Sequence, residues 1–311
     1  MLSHTLDLAP QAPQATTDLH RIVLGLEAGV SDECIYSLTC FDACIVEGIV
    51  NPTRDEGLWS RSELALLKLL QTASSGPLLT HVLHTLSLSL QLSDPESDAL
   101  IPRLIDIVMG ENVFTIRERQ LALRCLSVLE LDESETQALQ RALYLIVRFG
   151  LSDSGIELQT LAVSLVARYV GEMPMELAEK IVPYLVHRLR PSVFANSTQS
   201  NRKAQMKFTM ACLGVLHIFL ETRPEAVEST RGLLISTLID RLVGKCGCSG
   251  NGPCECCQAC VSCLLRIGVH PSMREDLRPF MDSILQVAWN WKSGSPIAAQ
   301  SLLNMMSGLL H

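Results

Sequence analysis

The sequence predicts an all-α protein built as an α-solenoid, a stack of antiparallel helix pairs. An apolar segment centred on a proline occurs three times, around Pro102, Pro183 and Pro279. In each copy apolar residues lie two before, two after and six after the proline, which is the spacing of one helix face. Extended alternating runs of β-branched or aromatic residues, which would indicate strands, are nearly absent from the sequence.

The first helix of each predicted pair recurs with a regular period. Two further apolar segments, beginning at Leu139 and Leu234, lie between the proline segments. Five equivalent positions are then separated by 39, 42, 53 and 43 residues: Leu100, Leu139, Ile181, Leu234 and Leu277. Helical solenoid repeats typically span ~40–47 residues. The long interval contains the polar stretch 191–200, which we interpret as an inserted loop.

The second helix of each pair follows the same period. Its segments align on a small residue that lets two helix axes approach closely: Ala122, Ala162, Ala211, Ala259 and Ala299. Capping boxes predict helix starts at Ser60, Thr115 and Ser154, because Ser or Thr accepts from a backbone N–H and a later Glu reaches back.

The chain is predicted to have three regions. Residues 1–16 contain two prolines and several polar residues, and we expect a flexible tail there. Residues 17–92 are expected to form irregular helical repeats, with helices near 17–28, 32–49, 60–72 and 77–91. Residues 93–311 are expected to form the regular repeats, with the inserted loop at 191–200 and a cysteine-rich loop at 246–257.

Composition excludes several classes of protein. The net charge of −8 argues against a general binder of nucleic acid or anionic membranes. The longest apolar run, 208–220, is too short to span a membrane. Twelve cysteines without a secretory signal indicate thiols in a reducing compartment, so an intracellular location, cytoplasmic or nuclear, is expected.

Helix pairs of about 40 residues with an apolar–Pro–apolar segment in one helix resemble HEAT repeats of the armadillo-type fold. The resemblance covers about 93–310 and implies a scaffold or adaptor that binds protein partners along the solenoid groove. The Asp and Arg positions of strict HEAT units are not consistently present, so the resemblance identifies the superfamily and leaves the subfamily open.

Seven of the twelve cysteines lie between residues 246 and 263. Zinc prefers a tetrahedron of thiolates or imidazoles, and four of these cysteines are candidate ligands for a structural zinc: Cys246, Cys248, Cys254 and Cys257. The spacing is not that of a standard zinc finger, and the alternatives are an oxidation-sensitive loop and packed or exposed free thiols. Cys260 and Cys263 align with core positions of the other repeats, so we interpret them as small buried hydrophobic residues.

The sequence also contains a basic stretch. No Asp or Glu occurs from Lys180 to Leu220. Five cations there are candidate partner-binding residues: Arg188, Arg190, Arg202, Lys203 and Lys207. Such a patch suits acidic or extended peptide segments, whereas nucleic acid is less favoured because few aromatic residues lie nearby for base stacking. The alternative is a solvated loop with cations near helix ends.

Taken together, these patterns predict a non-catalytic scaffold or adaptor. No phosphate loop, nucleophile elbow or HExxH motif occurs, so no enzyme activity and no cofactor beyond the candidate zinc are predicted. One alternative is a subunit of a larger solenoid assembly that acts on chromosomes, for example in meiotic recombination, and contacts nucleic acid through the basic insert. Another is a zinc-stabilised interaction module.

Overall fold

The computed structural model describes residues 17–29, 31–93, 100–110, 112–129, 131–149, 155–190, 199–245 and 254–310. Every regular element in these ranges is helical, which confirms the all-α prediction. Among the helices described, none combines the length and apolarity needed to cross a membrane. The predicted tail at 1–16 and the predicted helix start at Ser154 lie outside the described residues.

The chain divides into two compact units, residues 1–131 and 132–311. The described part of the first unit contains three antiparallel helix pairs. Its helices are α1 (Thr17–Ala28), α2 (Ser31–Val46), α3 (Glu56–Thr72), α4 (Pro77–Ser89), α5 (Leu100–Met109) and α6 (Ile116–Val128). The pairs are α1 with α2, α3 with α4, and α5 with α6. Between pairs, α3 packs on α1, and α4 packs on both α2 and α6. Alternate helices therefore form two layers.

The second unit repeats this arrangement. Its described helices are α7 (Glu133–Phe149), α8 (Ile156–Tyr169), α9 (Met175–Arg188), α10 (Gln199–Thr222), α11 (Arg231–Asp240), α12 (Glu255–Val269), the short α13 (Pro271–Arg274), α14 (Met281–Trp291) and α15 (Pro296–Leu310). One layer contains α8, α10, α12 and α15 in contact order, and α7, α9 and α11 lie in the other. These layers correspond to the two periodic series of the sequence.

The periodic apolar residues form the core between the layers. Leu139, Ile181 and Leu234 are fully buried, as the spacing predicts. Ala122 and Ala162 are also fully buried, because α6 and α8 pack closely on their neighbours. In α10 and α12 the aligned alanines are only partly buried, and the cysteine that follows each of them occupies the buried place. The alignment therefore gives the correct helix faces but is shifted by one residue in two helices.

Two helix starts test the capping predictions. At α6 the capping box is present: Thr115 Oγ1 accepts from the backbone N–H of Glu118 at 3.3 Å, and Glu118 Oε2 accepts from the Thr115 N–H at 2.7 Å. The prediction at Ser60 is wrong, because α3 begins earlier, at Glu56, directly after the cap residue Asp55. Ser60 lies inside that helix, and its hydroxyl donates to the carbonyl of Glu56 at 2.9 Å.

Buried or partly buried arginines satisfy the carbonyl ends of earlier helices. These residues, the latching arginines, are Arg103, Arg119, Arg223 and Arg241. Arg103 donates to the carbonyls of Leu70 and Ala73, at 3.2 and 3.0 Å, at the end of α3. Arg119 donates to the carbonyl of Val108 at 2.9 Å, in the last turn of α5. The last carbonyls of a helix have no partner within it, so these contacts replace water where the helix end is buried.

Glu118 is a buried carboxylate that joins two segments of the first unit. Its side chain accepts from the Gly76 N–H at 2.6 Å and the Ser75 hydroxyl at 2.8 Å, both in the turn before α4. It also accepts from the N–H and hydroxyl of Thr115 at the start of α6. Burial raises the pKa of Glu118, but these hydrogen bonds together outweigh it and hold the pKa below its ordinary value.

We expect Glu118→Gln to lower the free energy of unfolding by about 2 kcal/mol at neutral pH, because the amide cannot accept from all of these donors. Since the folded pKa lies below the ordinary glutamate value, this stabilisation exists above that value and is lost as the pH falls through the folded pKa. Urea unfolding at neutral and acidic pH measures both effects. Glu179→Gln, at an exposed position of α9, is the control. Equal stability of both variants at neutral pH would contradict the prediction.

Candidate binding surface

The basic stretch lies where the end of α9 meets the first half of α10, in the second unit. The segment that joins these helices, 191–198, lies outside the described residues. The two helices pack on each other at this end, and the guanidinium carbon of Arg188 lies 5.9 Å from the ring centroid of Phe208. This contact brings the cations that precede the joining segment close to those that follow it.

Three of the five predicted binding residues reach solvent, and we call Arg190, Lys203 and Lys207 the basic surface. Lys203 and Lys207 are exposed and lie one turn apart on the same face of α10, whereas Arg190 is half-buried just after α9. Within the described ranges, none of the three side chains makes an ion pair. Arg202 belongs to α10, but its side chain is outside the described part of the structure.

Arg188 is placed differently from the other predicted residues. It is only 6% exposed and lies against Phe208 at the end of α9. Burial lowers the pKa of its guanidinium group, because the charged form loses hydration there. No ion pair to Arg188 is found among the described residues. Arg188 is therefore a buried cation behind the basic surface and not part of its exposed face.

A second buried arginine, Arg241, lies beside the same helix end. It begins the π-helical turn Arg241–Lys245 after α11 and is also 6% exposed. Its Nε donates to the carbonyl of Leu189, the residue after Arg188. Its Nη2 is buried and has no hydrogen-bond partner in the described part of the chain. The sequence analysis missed Arg241, although a cation beside Ile239 and Leu242 on a buried helix face could have indicated it.

The thiol of Cys212 lies within the electrostatic reach of both buried arginines. Burial raises the pKa of Cys212 to about 12, and the positive charges of Arg188 and Arg241 act in the opposite direction. The thiol is therefore neutral at physiological pH and supplies no negative charge. Among the described residues, the partial negative charges of the helix carbonyls are what balances the positive charge at the end of α9.

Only part of the predicted zinc site is described. Cys246 and Cys248 lie outside the described residues. Cys254 is the N-cap residue of α12 and Cys257 lies in its first turn, with their Sγ atoms 3.6 Å apart. Two thiolates on one tetrahedral zinc, with Zn–S bonds of ~2.3 Å, lie at roughly this separation. In the described ranges, no group of three or more His, Cys, Asp or Glu residues is arranged to hold a metal ion.

Two further cysteines of this region, Cys260 and Cys263, belong to the core. Cys260 and Cys263 are fully buried, which confirms that they act as small hydrophobic residues. The Cys263 thiol lies 3.6 Å from the carbonyl of Leu213 on α10. Burial raises the pKa of Cys263 to about 12, so this thiol is neither a ready nucleophile nor a ready metal ligand.

Comparison with known proteins identifies the fold. No protein-family model matches the sequence, and no curated protein matches it. A crystal structure of an engineered protein is similar, with a TM-score of 0.62 and 15% identity over 94% of this chain and 68% of that one. The crystal structure of Kap121p bound to Nup53p gives a TM-score of 0.57 at 11% identity over 93% of this chain.

This chain covers 33% of the Kap121p chain, so the similarity spans about a third of that protein. Kap121p is a karyopherin built from helical repeats of the HEAT and armadillo type. At 15% and 11% identity the similarity shows the fold alone, and the predicted α-solenoid of antiparallel helix pairs is confirmed as that fold.

The burial of Arg188 leads to a testable prediction about stability. Replacing a buried charge that lacks an ionic partner with an apolar side chain of similar size is often stabilising. We therefore expect Arg188→Met to raise the free energy of unfolding by roughly 1 kcal/mol in a buffer without multivalent anions. Lys203→Met, at an exposed position, is the matched control and should change stability little. A lower unfolding midpoint for Arg188→Met than for the control would contradict the prediction.

Proposed function

We propose that this protein is a non-catalytic scaffold or adaptor that binds acidic, extended segments of other proteins through the basic surface. The observation that carries the proposal is a cluster of cations without carboxylate partners among the described residues, in a chain whose net charge is −8. Arg190, Lys203 and Lys207 lie within a stretch that contains no Asp or Glu from Lys180 to Leu220. A local positive field of this kind attracts acidic segments and orients their approach.

The fold supports a protein partner. Kap121p, which has the same fold over the compared region, is crystallised with Nup53p bound to it. Stacked helix pairs present many exposed helix faces side by side, and such arrays commonly bind extended segments. Arg190 follows α9, and Lys203 and Lys207 lie on α10. Because α9 and α10 pack on each other, one extended segment can contact all three cations.

The abundance of cysteine supports an intracellular site of action. The chain contains twelve cysteines, and the buried ones of the described ranges include Cys34, Cys125 and Cys212. Buried cysteines that serve as core hydrophobic residues are compatible with the reducing environment of the cytoplasm or nucleus.

Charge reversal on the basic surface tests the proposal. We expect the double variant Lys203→Glu, Lys207→Glu to bind a fluorescein-labelled oligoglutamate peptide roughly tenfold more weakly than the wild type, because two attractive charges become repulsive. Fluorescence anisotropy measures the affinity, and binding to the wild type should weaken as the salt concentration rises.

The control for this experiment is Lys68→Glu, at an exposed position of α3 in the first unit. It makes the same change of charge as the single variant Lys203→Glu, which is measured beside it. An effect of Lys68→Glu equal to that of the double variant would contradict a local binding surface. A labelled single-stranded oligonucleotide, tested in parallel, separates the nucleic-acid alternative. Binding of the oligonucleotide but not of oligoglutamate, with the same dependence on Lys203 and Lys207, would favour that alternative.

We also propose, as a second candidate function, a structural zinc at the start of α12. The Sγ–Sγ distance of 3.6 Å between Cys254 and Cys257 supports two ligands on one metal ion. Both cysteines lie at the N-terminus of α12, where the free backbone N–H groups and the positive dipole end suit anionic groups. Cys246 and Cys248 are the remaining candidate ligands from the sequence. The metal would fix the chain that enters α12 and would thus stabilise an interaction module.

Zinc content of the purified protein tests this second proposal. We expect inductively coupled plasma mass spectrometry to find one zinc per chain. Treatment with a chelator should lower the thermal unfolding midpoint. Cys254→Ser with Cys257→Ser should abolish the metal, whereas Cys40→Ser, at a partly buried position of α2, should retain it. Purified protein without metal, whose unfolding midpoint does not change with added zinc, would refute the proposal.

A further inference from the structure

We propose that Arg188 and Arg241 form a buried oxyanion site, which takes a single carboxylate or phosphate group at the end of α9. The site is distinct from the basic surface, because both of its arginines are buried and one of them lies in a different helix pair. The proposal rests on the proposed function only for the source of the anion, which would be an acidic side chain of the bound segment.

The geometry places two guanidinium groups around one helix end. Arg188 belongs to the last turn of α9, and Phe208 covers one side of its guanidinium group at 5.9 Å. Arg241 approaches from the turn after α11 and donates through Nε to the carbonyl of Leu189. Each of the two residues is 6% exposed, so both are more than nine-tenths buried.

The donors of this pair are not all used. Within the described ranges, Arg241 donates through one nitrogen, while its Nη2 is buried and has no hydrogen-bond partner. Neither arginine has an ion-pair partner in the described part of the chain. The nearest acidic residue before Arg188 in the sequence is Glu179 and the nearest after it is Glu221, and both are exposed. Asp240, next to Arg241, is exposed as well.

Local compensation for the two charges is incomplete. The carbonyl end of α9 supplies only about half an elementary negative charge. The thiol of Cys212, which interacts electrostatically with both arginines, is neutral at physiological pH. Two buried positive charges therefore remain largely uncompensated, which is unfavourable unless an anion is bound. A planar guanidinium fork with unused N–H donors matches the two oxygens of a carboxylate or the oxygens of a phosphate.

The first experiment tests the site alone. The thermal unfolding midpoint is measured with millimolar inorganic phosphate and with chloride at the same ionic strength, for wild type and for Arg188→Met. Phosphate should raise the midpoint of the wild type by a few degrees and leave that of Arg188→Met unchanged relative to chloride. Arg141→Met, which removes an exposed charge of α7 outside the basic surface, is the control and should behave like the wild type.

The second experiment identifies the source of the anion. Oligoglutamate should bind Arg188→Met about tenfold more weakly than it binds the wild type, because a charge-assisted contact is lost. Arg241→Lys, which keeps the charge but loses the fork, should show a similar loss. Circular dichroism verifies that each variant is folded. If Arg241→Lys does not fold, the affinity of Arg188→Met for oligoglutamate alone decides the result.

The two experiments separate the inference from the proposed function. A phosphate effect that depends on Arg188, without any binding of oligoglutamate, supports the site and contradicts the proposed function. Loss of oligoglutamate binding in Arg188→Met without a phosphate effect supports a site specific for carboxylates. Equal responses of wild type and Arg188→Met to both probes would overturn the inference, and oligoglutamate binding to both would still support the proposed function.

Discussion

Burial of apolar side chains between adjacent helix pairs is the constraint on which the structure depends. Several of the described helices are short, and α5 and α11 have ten residues each. Isolated helices of this length are marginal in water, so each needs its neighbours. In α11, Leu234 and Leu238 are fully buried between the layers. A helix pair is thus stable only as part of a stack, and its outward residues are free to serve binding.

Stacking many short helices creates many helix ends, and the second requirement of the fold is to satisfy them. Arg103 and Arg119 reach the ends of α3 and α5, and Glu118 receives the N–H groups at the start of α6 and in the turn before α4. Such polar contacts belong to helices that are already packed, so they specify how successive pairs fit. At the end of α9, Arg241 makes the same kind of contact, with the carbonyl of Leu189. Because Arg188 is buried there as well, positive charge is in excess at this helix end.

The fold could be predicted from the sequence because its main signal is periodic. The positions of Leu139 and Leu234 follow from spacing alone, and both are core residues. The helix start at Thr115 was predicted correctly, because a capping box is a local motif. The helix start predicted at Ser60 was wrong, because the same helix begins earlier, after the cap residue Asp55. The inward shift from alanine to Cys212 in α10 depends on how that helix is rotated against its neighbours, which spacing does not specify.

The candidate site was less predictable because it depends on contacts between distant residues. Charge counting found Arg188 but could not show that Phe208 covers it. Arg241 lies 52 residues from the carbonyl that it contacts, at Leu189, so no local motif connects them. The zinc candidates were recognised by residue type and spacing, and only Cys254 and Cys257 can be compared with the structure.

The latching arginines also determine where the chain can be shortened. Arg223 follows α10 directly and donates to the carbonyls of Val170 and Met173, just beyond the end of α8. A truncation at Thr222 would keep every helix of that pair intact, yet it would remove the donor for two inward carbonyls of the preceding repeat. Boundaries for expressing single repeats should therefore be chosen after the next arginine and not at the last helical residue.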